Sequence, residues 1–119
     1  MNLSDITEDK NIINFWEGLI QVAHLWDDVI DRDKEIPYRA VHEGFFFMLS
    51  ELPENPFYNA YKPILQPVMT AAAINFIASV NMERNGERPD LSHVLRYSLG
   101  DVICTIALIV KGKGSVMRS

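Results

Sequence analysis

The 119-residue chain has a single cysteine, Cys104, so no intramolecular disulfide can form. Cys104 lies in the run VICTIALIV and reads as a buried, inert thiol. Cations are scarce: 11 Lys and Arg stand against 16 Asp and Glu, for a net charge of −5. The longest basic feature is the Lys111–Lys113 pair, which argues against nucleic acid or an anionic membrane surface as the main partner. There is no Gly-rich phosphate loop, no Cys-x-x-Cys, no HExxH and no serine in a nucleophile elbow. Hydrolysis by a Ser or Cys nucleophile is therefore unsupported. Strand signals, internal repeats and low-complexity tracts are also missing. The opening MNLSDITEDK is polar and acidic, unlike a secretory signal. The run Val102–Val110 falls well short of the roughly 20 residues a membrane span needs. Ile64–Val80 is longer but is broken by Gln66, Pro67, Thr70, Asn75 and Ser79. The expectation is a cytoplasmic protein with neither a membrane nor a nucleic-acid role.

What the chain does have is apolar content, 48%, enough for the core of a single domain over 1–119. Ile12, Trp16, Leu19, Ala23, Trp26 and Ile30 step by four and three, which predicts a helix over about 8–32. Asp5 and Glu8 suit its first turn. Pro37 ends a turn, and a second helix is expected over 38–52 with Val41, Phe45, Met48, Leu49 and Leu52 on its apolar face and Phe46 and Phe47 on the flanks. Pro53 and Pro56 close it. A third helix, 63–83, starts late or kinks at Pro63 and Pro67 and is apolar nearly all round, the pattern of a buried central helix. A fourth spans 91–111, with Gly112 closing it. Residues 1–7 and 112–119 read as loosely ordered. The whole is an all-α four-helix bundle, and its excess apolar surface predicts a homodimer.

Candidate chemistry sits first on the acidic end of helix one. Glu17, Gln21, His24, Asp28 and Asp31 form a polar stripe, and a solvated face is the plain reading for Glu17, Gln21 and Asp28. Asp27 projects between Trp16 and Ile20, inside the apolar arc, and Asp31 lies at its boundary one turn on. Carboxylates placed there need a positive partner. Two partners suit: a hard divalent ion, Mg²⁺ or Mn²⁺, or an arginine such as Arg32, Arg39 or Arg96.

The apolar helices carry further polar positions. Asn75, Ser79 and Glu83 form a stripe on helix three, which either bonds neighbouring helices or ends in solvent at Glu83. Asp101 lies among Val94, Tyr97, Thr105 and Leu108, which predicts burial, with Arg96, Tyr97 or Thr105 as its protein partner. The metal set to test is Asp27, Asp31, His24, Asp28, Glu83 and Asp101.

Asp27-Asp28-Val29-Ile30-Asp31 resembles the DDxxD motif of class I isoprenoid (terpenoid) synthases, and Asn75, Ser79 and Glu83 match the spacing of that family's N-x3-S-x3-E motif. Arg96-Tyr97 resembles an Arg-Tyr pair of some of these enzymes. The resemblance implies Mg²⁺ held between helix carboxylates and a diphosphate. The family's helical barrel is longer than this chain, and Phe76 stands where an acidic residue often follows the Asn. The segments HLWDDVIDRDKEIP and ELPENPFYNA also resemble uncharacterised small helical proteins of phages and prophages, which bring no activity with them.

Two functional expectations follow. One is an assembly or regulatory module acting through a protein partner, with Trp16, Trp26 and the phenylalanines as contacts. The other is a Mg²⁺- or Mn²⁺-dependent enzyme acting on a phosphate or diphosphate.

Overall fold

The computed structural model of the chain describes Leu3 and residues 7–31, 35–84 and 91–118, without the side chains of residues 31, 83–84, 91–98 and 113–118. The fold is all-α, and the described residues contain no strand. The helices are α1 (Lys10–Asp31), α2 (Tyr38–Phe46), α3 (Leu52–Glu54), α4 (Pro56–Arg84) and α5 (Leu91–Arg118). A π turn, Phe47–Glu51, joins α2 to α3 in one continuous helical path. Four long helical stretches thus match the expected order, with two corrections: the second path continues through Pro53 to Glu54, and α4 begins at Pro56 rather than at 63, because a proline is tolerated at a first helical position. Gly112 does not close the last one, since α5 runs through it to Arg118. The chain resolves into two compact units, Glu8–Lys62 on the one hand and Met1–Thr7 with Pro63–Ser119 on the other.

In the unit Glu8–Lys62, α1 begins where Asp9 accepts a hydrogen bond from the Asn11 N–H (2.8 Å). This is an N-cap bond that satisfies one of the orphan donors of the first turn. The helix thus starts at Lys10, two residues past the expected 8, so Glu8 lies outside its first turn. Pro37 caps α2 without a side-chain bond, its carbonyl accepting from Ala40 (3.0 Å). Asn55, the one non-helical residue between α3 and α4, is buried and caps α4: its Oδ1 accepts from the Tyr58 N–H (3.0 Å). Pro56 follows at the first helical position, where a missing N–H costs nothing. The Asn55 amide then donates to the Asn11 carbonyl of α1 (2.9 Å), tying the start of α4 to the start of α1.

Ile12, Phe15 and Ala23 are the buried residues of α1, and Trp16 and Leu19 are half-buried. The arc is turned toward Phe15, which lies outside the expected series. Its ring is fully buried, stacked on Tyr58 (centroids 5.9 Å) and edge-on to Phe57 (5.7 Å). Burying a Phe side chain is worth roughly 1.5–3 kcal/mol, and each aromatic pair adds about 0.5–1.5 kcal/mol.

The second helix corrects the expected face. Gly44, Phe47 and Leu52 are buried, while Phe45 (61% exposed), Phe46, Met48 and Leu49 (77%) face outward. The π turn accounts for the part of the shift that follows Phe47; Gly44, Phe45 and Phe46 precede it. The Leu52 N–H bonds to the Phe47 carbonyl, five residues back, so counting by three and four across this turn selects the wrong residues. The opposing wall is α1. Gly18 lies so close to the Phe47 ring that a Cβ there would overlap it, and a Cβ on Gly44 would stand 2.7 Å from Leu25 Cδ2. Pairings of Gly18 with Phe47 and of Leu25 with Gly44 run in opposite chain directions, so α1 and α2 form an antiparallel helical hairpin.

At Tyr61 the backbone leaves helical geometry (φ −115°, ψ 17°), a kink within α4. Pro63 lacks the N–H that would bond Asn59, and its ring crowds that carbonyl, so the kink expected near Pro63 is present.

In the other unit the buried residues are Leu3, Leu65, Phe76, Ser79 and Val80, with Val102 and Ile106 from α5. The reading of helix three as a buried central helix is overturned. Only a narrow stripe of α4 is buried, and Ile64, Ile74, Ile77 and Met82 are 44–59% exposed. By length and composition Pro56–Met82 is apolar enough to cross a membrane. On α5, burial of Val102 and Ile106 leaves Cys104 exposed, because two residues further round a helix is about 200° away.

Candidate functional site

Within the unit Glu8–Lys62 a groove runs along the α1–α2 hairpin, about 1150 Å³ in volume. α1 contributes Asn11, Asn14, Glu17, Gly18 and Gln21, one stripe at helical spacing. The α2 wall and its π turn contribute His42, Glu43, Phe45, Phe46 and Leu49, with buried Phe47 beneath. Glu51, Glu54 and Asn55 close one end. The groove exists because Gly18 lets the Phe47 ring approach α1, while the flanking aromatics stay outside.

A polar bridge crosses the hairpin. Gln21 Nε2 donates to Glu43 Oε2 (2.9 Å), and Arg39 Nε donates to Glu43 Oε1 (2.9 Å). The Arg39 guanidinium, foremost, and then the Gln21 amide hold the Glu43 carboxyl below the usual carboxylate range. The pair is exposed, so it registers the hairpin more than it stabilises it. Glu17 and Gln21, read from sequence as a plain solvated stripe, are exposed and also line this groove.

The metal candidates fare differently. His24 is exposed, and Asp27 and Asp28 are half-buried. Asp27 is not without a partner. The side chains of Asp31 and Glu83 lie outside the described residues, as do those of Arg32 and Arg96. Asp101 is exposed rather than buried, because its helical neighbour Leu108 is itself 71% exposed. Thr105 donates its hydroxyl to the Asp101 carbonyl (2.8 Å), a bond within the helix. Ser79 likewise donates to the Asn75 carbonyl (2.9 Å), so its buried hydroxyl is satisfied inside α4 and bonds no neighbouring helix. Among the described residues no three His, Cys, Asp or Glu side chains come together that could hold a metal ion.

Two residues that organise the groove were not singled out from sequence. Asn55 carried a signal, since Asn-Pro before an apolar run is a helix start. Gly18 carried none, because an isolated glycine in a helical pattern reads only as a weak position. Comparison of the chain with protein-family models, with curated proteins and with solved structures finds no match.

Proposed function

We propose that the chain works by protein–protein contact, as a small assembly module that associates with a second copy of itself. The observation that carries this reading is the outward side of α4. Ile64, Ile74, Ile77 and Met82 are about half exposed, and residues 63–82 contain no charged side chain. Apolar surface left in water costs about 25 cal/mol per Å², and contiguous patches of it mark contact sites. A two-fold pairing covers the same patch on both chains and meets no charge mismatch. The exposed rim of the α1–α2 groove supplies a second contact surface.

Sedimentation equilibrium from micromolar to submillimolar protein tests the reading. A mass twice the 13.6 kDa of the chain is expected, reverting to one chain in the Ile74→Glu/Ile77→Glu variant with unchanged helical circular dichroism. A single-chain mass at every concentration defeats the dimer. Co-flotation of that monomer with phosphatidylcholine vesicles would assign the face to lipid instead.

A further inference from the structure

We infer that the α1–α2 groove docks a cationic amphipathic helix from a partner protein. The inference rests on the reading that the chain works by protein contact, and it concerns a different surface from the α4 face. Two independent features converge on it. The first is apolar: Phe45, Phe46 and Leu49, each 60% or more exposed, stand along the groove above buried Phe47. All three are exposed and line the same groove, so they present apolar surface to a second helix. The second is charge. Glu17 on the α1 wall and Glu51 and Glu54 at the end of the groove add three carboxylates to Glu43, while no lysine or arginine lines it. Arg39 is engaged with Glu43 alone among these.

The shape selects the occupant. Small-molecule sites enclose most of the ligand's surface, whereas this groove is open along an exposed apolar rim. A helix about 10 Å across that presents apolar residues at i, i+3, i+4 and i+7 would cover Phe45, Phe46 and Leu49. Lysines or arginines flanking that stripe would reach the glutamates. A helix with acidic flanks would meet like charge and be rejected. The net charge of −5 favours the same sign of partner at long range.

The test is fluorescence anisotropy with three labelled probe peptides and the full chain. One peptide carries leucines at i, i+3, i+4 and i+7 flanked by lysines. The second replaces every lysine by glutamate. The third has the first peptide's composition in scrambled order. The cationic helix alone is expected to bind, and more weakly as salt rises. Glu51→Gln/Glu54→Gln should weaken it about three- to tenfold. Phe46→Ser/Leu49→Ser should weaken it about tenfold or more, with a melting curve little changed because both side chains are mostly exposed. Equal binding of the scrambled or acidic peptide, or indifference to both variants, overturns the inference. So does a complete lack of binding, and in that case the sedimentation mass still reports separately on self-association.

Discussion

Gly18 of α1 faces the buried ring of Phe47 at a distance that no side chain could occupy. That single approach sets how closely the two arms of the hairpin lie. At an exposed helical position Gly→Ala would stabilise by about 1 kcal/mol through helix propensity. Here the sign reverses. Gly18→Ala is expected to destabilise by about 1–3 kcal/mol through overpacking. Urea unfolding measures it, and the double variant Gly18→Ala/Phe47→Leu should recover part of the loss. A stabilised Gly18→Ala would mean that the arms stand further apart.

Neighbouring phenylalanines should behave as opposites. Phe47→Ala empties a buried site and is expected to cost about 3–5 kcal/mol. Phe46→Ala removes a ring that is 60% exposed and should change stability by no more than about 0.5 kcal/mol. Equal losses at both positions would contradict the burial of Phe47 and the exposure of Phe46.

Asn55 makes two bonds with opposite ends of one amide. Asn55→Ala removes the cap of α4, about 0.5–2 kcal/mol. It also takes the amide donor from the Asn11 carbonyl, so a total of about 2–3 kcal/mol is expected. Asn55→Asp keeps the acceptor for Tyr58 and loses the donor to Asn11, so it should fall between wild type and Asn55→Ala. Chemical denaturation of the three proteins reads the order directly.

Glu43 gives the hairpin an acid-sensitive contact. Its carboxyl titrates lower in the folded chain than in the unfolded one, chiefly through Arg39. The unfolded chain therefore binds its proton first as pH falls. The contribution is complete above the usual carboxylate range and disappears as pH falls through the lowered folded value. Thermal melts of wild type and Glu43→Gln should differ at neutral pH and converge in acid, with the gap shrinking as salt rises. A gap that widened in acid would reverse the sign and refute the assignment.

Metal dependence of α1 is open to a direct measurement. No three potential ligands meet among the described residues, and the Asp31 and Glu83 side chains lie outside them, so the melting temperature in millimolar Mn²⁺ or Mg²⁺ reads the metal expectation directly: no shift in the wild type rejects it. A rise that Asp27→Asn abolishes would bring back the divalent-ion reading of the DDxxD segment, because a ligand that binds only the folded state must raise its stability.

Much of the fold was legible because its determinants are local. The series from Ile12 to Ile30, Pro37, and the prolines at 63 and 67 each act on their own neighbours, and the structure has a helix, a helix start and a kink there, while Pro56, read as closing the second helix, instead opens α4. What was illegible depends on a second element. Nothing in the run VICTIALIV says which way it faces; Val102 and Ile106 turn inward, and Cys104 and Asp101 follow outward. Phe15 joins the core because Phe57 and Tyr58 arrive from α4. The candidate groove was legible only as its parts. The phenylalanine cluster and the Glu17–Gln21 stripe stand out in the sequence, but their meeting depends on Gly18.

The wide turn at Phe47–Glu51 also makes the hairpin tolerant in one place. A π turn holds one residue more than an α turn would use between the same flanks. Deleting Ser50 would let the segment tighten to ordinary α geometry while Gly44 and Leu52 keep their inward positions. A one-residue deletion inside α1 has no such slack and would rotate everything beyond it by about 100°. The hairpin therefore carries a built-in spare residue, in the same turn that holds Leu49 of the groove.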